Sequence, residues 1–385
     1  MKKFQGSVKS KLQKQETSIF AVMSALAQEH KAINLSQGFP DFDISPKLIE
    51  LVNKYMKKGY NQYAPMTGIP ALREQIASKV ENLYGAVYDP AREVNITAGA
   101  TQAIHTVIAS IIQDEDEVIV FEPAYDAYVP LIKMHGGIVK FVELKLPDYH
   151  IDWQEVKKLL NNRTRMIIIN SPHNPTGSIL KAEDLKELEK LTNDSEIIIL
   201  SDEVYEHLIF DGLKHESVCR YPGLAERSFV VGSFGKTFHA TGWKTGFVLA
   251  PQNLMEEFRK VHQFVVFACN TPIQHALAEF LTDSTNYEDL GKFYQRKRDF
   301  FLKQIKDSRF EIVPSFGTYF QLLNYSKITG EAEVDFAVRM TKEYKLASIP
   351  VSVFYHNNDD KKVLRFCFAK EEKTLEKAAE ILCRI

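Results

Sequence analysis

A lysine amine does little chemistry while it is solvated and protonated. In a closed site near other cations its pKa falls far enough for it to bond an aldehyde as a Schiff base. The segment Ser233-Phe234-Gly235-Lys236-Thr237-Phe238-His239-Ala240-Thr241-Gly242-Trp243-Lys244-Thr245-Gly246 offers such a setting, with Lys244 eight positions after Lys236 and three glycines that let backbone and ligand approach. Asp202 directly follows the apolar run Ile197-Ile198-Ile199-Leu200 and Ser201. A carboxylate at a strand end is expensive to bury unless a cation or strong donor meets it. Arg365 sits inside the apolar run Val363 to Phe368 and needs a carboxylate partner, either another side chain or a substrate. Gly99-Ala100-Thr101 opens a helix, so backbone N–H groups and the positive dipole end face any nearby anion. The plainer alternative is an ordinary cap supplied by Thr101. Glu203 and Glu206 are expected to cap or to face solvent, and His173 to be structural or to stand behind the residues that touch a ligand.

These residues need a frame that brings distant segments together. From about Glu93 the chain alternates β-rich runs with amphipathic helices: Val94–Thr97, Val118–Phe121, Ile138–Val142, Met166–Ile169, Ile197–Leu200 and Phe229–Val231. Several runs are apolar without alternation, as strands covered on both faces are. That pattern predicts an α/β fold with a mostly parallel central sheet and right-handed crossovers, binding ligands beyond the carboxyl ends of the strands. The candidate residues fall there. Helices are expected from near Ser18, from Pro46 to Lys58, from Gln102 to Ile112, after Pro251, along Leu290 to Ile305, near Val334 to Tyr344 and from Glu371 to the end. Runs at Thr318–Leu323 and Val363–Phe368 predict a smaller α+β domain completed by the N-terminal segment. The expected division is 1–44 (arm and part of the small domain, with residues 1–16 a mobile arm), 45–282 (large domain) and 283–385 (C-terminal small domain).

Ser-x-Gly-Lys-x-x-x-x-x-Gly-x-Lys-x-Gly resembles the lysine signature of class I aminotransferases, pyridoxal-phosphate enzymes of fold type I. The similarity runs from about Ser18 to Ile385. Ile-Asn-Leu-Ser-Gln-Gly-Phe-Pro-Asp-Phe and Asn-Gln-Tyr-Ala-Pro-Met-Thr-Gly are most like the methionine aminotransferase and kynurenine aminotransferase branch. The resemblance implies that Lys236 carries pyridoxal 5'-phosphate as a Schiff base and acts as the base at the substrate Cα. Ser233, Lys244 and the Gly99, Ala100, Thr101 turn would bind the phosphate, where many relatives have arginine in place of Lys244 and so a bidentate fork in place of a point charge. Tyr125 would stack on the ring, Asn174 and Tyr205 would bond its 3-oxygen, and Asp202 would pair with its ring nitrogen. Arg365 and Asn174, with the backbone at Gly38, would hold the substrate carboxylate. Tyr63 would reach across a homodimer interface to the neighbouring subunit's phosphate, so that the two active sites are shared.

The implied reaction passes the amino group of a neutral L-amino acid, such as methionine, an aromatic amino acid or kynurenine, to a 2-oxo acid in a ping-pong cycle. The segment His262 to Phe267 is a candidate apolar wall for the side chain. Two alternatives stay open: a cysteine-S-conjugate or cystathionine β-lyase using the same cofactor, and a non-catalytic ligand-sensing protein on the same fold. At 385 residues the chain exceeds one simple core. A net charge of -2 carries no footprint for nucleic acid or anionic lipid. No run approaches ~18 apolar residues and no signal-peptide core follows the lysine-rich start. The four cysteines are widely spaced and suggest neither a metal site nor a disulfide framework. A cytoplasmic enzyme of small molecules is the expectation, with no metal, membrane or nucleic-acid partner.

Overall fold

Runs of branched aliphatic residues with no polar alternation are stable only where helices cover both faces of the sheet they form. The structure, a computed structural model, describes residues 3–12 and 17–385. Its main sheet has seven strands in the order Val94–Thr97, Gly246–Leu249, Ser228–Ser233, Ile198–Asp202, Thr164–Asn170, Glu117–Glu122, Ile138–Glu143. All neighbours pair in parallel except Gly246–Leu249, which runs antiparallel to both of its own. The strands Ser228–Ser233 and Glu117–Glu122 are buried from end to end and Ile198–Asp202 is buried after its first residue, whereas in the edge strand Ile138–Glu143 only Val142 is. Register places Asn170 beside Asp202 and Ser233 beside Gly246, so the polar residues lie together at one end of an apolar sheet.

A second sheet of four antiparallel strands, Ile349–Pro350, Val363–Cys367, Phe320–Asn324 and Glu311–Ile312, sets Leu322 opposite Arg365. The N-terminal strand Ile33–Asn34 pairs in parallel with Leu346–Ala347, which ties the start of the chain to its last quarter. Residues 3–12 carry neither helix nor strand, and the remainder of the expected arm, residues 1, 2 and 13–16, lies outside the described residues.

Three local expectations change. The helix after Gly99 begins at Ala100 rather than Gln102, because Gly99 at φ +82 turns the chain directly into it. The helix over Glu333–Arg339 widens into a π-turn at Met340–Tyr344. Glu203 and Glu206, expected to cap or face solvent, are buried. The helix Pro70–Tyr84 and the loop through His215 close over the turn that carries them. Lys79 forms an ion pair with Glu206 and Tyr84 donates to it, while His215 and Ser201 bond Glu203. Burial alone would raise Glu206, but the charge of Lys79 and these hydrogen bonds hold its carboxyl down at about 2. That network ties down the backbone on either side of Tyr205.

Candidate active site

The strand Ser228–Ser233 ends in a four-residue helical turn, Phe234–Thr237, started by the Ser233 hydroxyl accepting from the Lys236 N–H at 3.3 Å. The turn projects Lys236 past the sheet end into a cleft between the two sheets. There Nζ lies 3.1 Å from the Tyr319 hydroxyl and 3.3 Å from the Gly38 carbonyl. Burial, joined by the positive charges of Arg365 and Lys244, brings the amine down to about 8, so a substantial fraction is neutral near physiological pH.

Asp202 closes the next strand and is 4% exposed. The Tyr128 hydroxyl donates to Oδ2 at 2.5 Å, while Oδ1 receives only a long bond of 3.4 Å from the Val204 N–H. Burial raises this carboxyl to about 6, the mark of an acid that lacks a full positive partner among the described residues. Tyr205 is buried three residues on, and burial keeps its phenol protonated. Asn170 braces both neighbouring loops, donating to the Asp202 carbonyl and accepting from the Asn174 N–H, each at 2.8 Å.

Arg365 projects from the second sheet and is 1% exposed. Its Nη1 donates to Asn174 Oδ1 at 2.7 Å and its Nη2 to the Ser36 carbonyl at 3.2 Å, and its Nε has no partner among the described residues. The guanidinium carbon lies 3.9 Å from the centre of the Phe320 ring, with Phe20 and Phe354 further round. A buried cation met by an amide, a carbonyl and aromatic faces can still take a carboxylate in two parallel hydrogen bonds. Burial pushes it down to about 10, so it remains charged at neutral pH.

At the start of the helix Ala100–Ile111, Gly99 lies so close to Lys244 that a β-carbon there would sit 3.5 Å from Nζ. Gly246, beside Ser233 in register, packs on the backbone of Gly99 and Ala100. Gly99, Ala100, Thr101, Ser233 and Lys244 thus surround one spot, with backbone N–H groups, a hydroxyl and an ammonium available to an anion. The Thr101 hydroxyl is 3.4 Å from that of Tyr125, which connects this spot to the loop after Glu117–Glu122. Gly38 is tightly enclosed: a β-carbon would come within 2.8 Å of the Phe320 ring, so only glycine leaves room for its carbonyl near Lys236.

Tyr63 is not part of this buried group within the chain. It is 83% exposed, with the half-exposed Phe267 edge-on at 5.3 Å and Phe264 exposed nearby in sequence to that ring. The apolar wall expected from His262 to Phe267 does not form within the chain. His262 faces the interior and bonds Gln102, while Phe264 is 86% exposed at the end of the helix Gln252–Val265. His173 is buried against Thr176, and burial lowers it to about 3, so it is neutral and carries no charge into the cleft. Sequence reasoning missed Tyr128, Tyr319 and the Ser36 carbonyl. Tyr128 lies three residues after Tyr125, a spacing that could have drawn notice; the other two carry no local signal.

A family model described as "Aminotransferase class I and II" matches residues 30–382. The chain is 48% identical over 374 residues to a methionine aminotransferase of Escherichia coli (strain K12), covering 97% of each. It is 33% identical to human kynurenine–oxoglutarate transaminase 1, covering 93% of each. Among solved structures it is similar to that of YbdL from Escherichia coli, described with a methionine aminotransferase function, at a TM-score of 0.96 and 47% identity, covering 98% of this chain and 100% of the other.

Proposed function

This chain belongs to the class I and II aminotransferases, and from that premise we propose that it uses pyridoxal 5'-phosphate to move the amino group of a neutral L-amino acid, methionine foremost, to a 2-oxo acid. The observation that carries the reading is the convergence, in one cleft, of a lowered lysine amine and a buried arginine whose Nε is unpaired. The donor set fits the cofactor. Gly99, Ala100, Thr101, Ser233 and Lys244 would hold its phosphate and Tyr125 would lie against its ring. Asn174 and Tyr205 would bond its 3-oxygen, and Asp202, an acid raised for want of a cation, would meet its protonated ring nitrogen. When bound, the cofactor supplies an aldehyde for amine exchange and a ring that accepts electron density from the reacting carbon.

The chain's own residues do the rest. Arg365 grips the substrate carboxylate with Asn174 beside it, which fixes Cα relative to Lys236. Lys236 Nζ would hold the cofactor through its aldehyde and, as a free amine, would serve as the base for the proton on Cα. With purified protein and a panel of donors, methionine and phenylalanine are expected to outrun aspartate. Preference for aspartate would overturn the side-chain assignment, and release of pyruvate and ammonia from cystathionine would favour the β-lyase reading.

Asp202→Asn keeps the shape but removes the charge. The lost charge-assisted hydrogen bond, ~1.5 to 3 kcal/mol, is expected to lower kcat by about ten-fold to a hundred-fold and to weaken cofactor retention. Unchanged kcat and cofactor content would remove Asp202 from the site. The exposure of Tyr63 and Phe264 supports a homodimer in which each Tyr63 serves the partner's phosphate. Light scattering is expected to give twice the chain mass, and a monomer with full activity would exclude Tyr63 from that role.

A further inference from the structure

Tyr319 stands just before the strand Phe320–Asn324, after Thr318 in a left-handed conformation at φ +66, and is fully buried. Its ring meets Tyr205 edge-on at 5.1 Å. Its hydroxyl donates to the Gly38 carbonyl at 2.5 Å, which leaves an oxygen lone pair for Lys236 Nζ at 3.1 Å. Nζ also reaches the Gly38 carbonyl at 3.3 Å. A neutral amine has two N–H donors and one lone pair. With one donor on Tyr319 Oη and the other on Gly38, the lone pair is left on the remaining face of the nitrogen.

We propose that Tyr319 is a positioning residue for Lys236: anchored on the Gly38 carbonyl, its hydroxyl accepts from the amine and turns the amine lone pair toward the substrate Cα whenever Nζ is not bonded to carbon. The three groups come from three separate segments, the N-terminal loop, the end of a strand of the large sheet and the start of an inner strand of the small one. Their meeting makes the reach of the lysine depend on both sheets being in place. Burial keeps the Tyr319 phenol protonated across the working pH range, so its donor and acceptor directions do not change with pH. The neighbouring Tyr294 is buried in the same aromatic cluster but bonds His239 at 2.9 Å instead.

This inference rests on Lys236 being the reactive amine, and the test separates the two. In the full-length chain, borohydride trapping with pyridoxal 5'-phosphate and peptide mapping asks whether Lys236 is labelled; an unlabelled Lys236 sinks the proposed function itself. Separately, the acylation rate of Lys236 by acetic anhydride is followed against pH by peptide mass, without cofactor, in the unaltered chain and in Tyr319→Phe and Tyr294→Phe. The unaltered chain is expected to show a midpoint at about 8. Losing an acceptor penalises the ammonium more than the amine, so Tyr319→Phe moves the midpoint to lower pH while Tyr294→Phe leaves it in place. With cofactor, Tyr319→Phe lowers kcat by about ten-fold to a hundred-fold with KM for the amino acid little changed, part of the ~10²–10⁴-fold that a positioned base supplies. Labelling of Lys236 with an unmoved midpoint and unmoved kcat in Tyr319→Phe overturns the inference and leaves the function standing. Should Tyr319→Phe fail to fold, 3-fluorotyrosine at position 319 keeps the hydroxyl as a weaker acceptor. It is expected to shift the midpoint in the same direction, and no shift overturns the inference.

Discussion

Lys236→Ala is expected to lower transamination by on the order of 10⁴-fold or more, while the protein stays folded. In the proposed function the side chain would combine two duties that no neighbour could take over, bonding the cofactor's aldehyde and moving the substrate Cα proton. A positioned general base alone contributes up to ~10⁴-fold. Lys244 cannot substitute, since its ammonium lies over Gly99 at the anion spot. Cofactor held by Asp202, Tyr205 and the Gly99 turn is expected to bind Lys236→Ala non-covalently, so the visible band of the lysine-bound form disappears although cofactor is still retained. Half-normal turnover by Lys236→Ala, measured with methionine and a 2-oxo acid, would remove the lysine from the chemistry.

The second large effect is expected at Arg365. Arg365→Leu should lower kcat/KM for the amino acid by about a thousand-fold, because truncating one partner of a buried, hydrogen-bonded charge pair costs ~2 to 5 kcal/mol and 1.4 kcal/mol is a factor of ten. The loss is expected for every α-amino acid alike, since in the proposed function the carboxylate and not the side chain would be gripped. Arg365→Lys should recover only part of it, as a point charge replaces a planar fork that lies on the Phe320 ring. Borohydride labelling of Lys236 serves as the control and is expected to persist in both variants. A variant that keeps normal kcat/KM would mean that the unpaired Nε has a structural reason, and the carboxylate would have to bind elsewhere.

Most of the fold was legible because its signals are local. Ile167, Ile168 and Ile169 in one unbroken run, or Val230 and Val231 before a small-residue turn, announce strands covered on both faces whatever else the chain does. The same holds for the helix start at Pro46, where the proline ring suits the first helical turn. Polar partnerships were less legible. Glu203 and Glu206 read as surface carboxylates, since no nearby residue says that Lys79, Tyr84 and His215 will close over them from elsewhere in the chain. The segment His262 to Phe267 is apolar enough for a pocket, yet its direction depends on where the helix Gln252–Val265 ends, and that leaves Phe264 outward.

What the amino-acid order alone determined is therefore the class of sheet, the run of helices, and a short list of groups able to do amine chemistry, Lys236, Asp202 and Arg365 among them. Only the tertiary structure decided how those groups are tuned. Lys236 comes down to about 8 and Asp202 goes up to about 6 because burial removes water from both, and Arg365 is left with an unpaired Nε because the second sheet folds it against aromatic rings. Desolvation and long-range charge are properties of the enclosed volume, which no stretch of sequence contains by itself. The contact of Tyr319 with Lys236 and Gly38 has the same origin: residues 38, 236 and 319 are unrelated along the chain, and folding makes them neighbours.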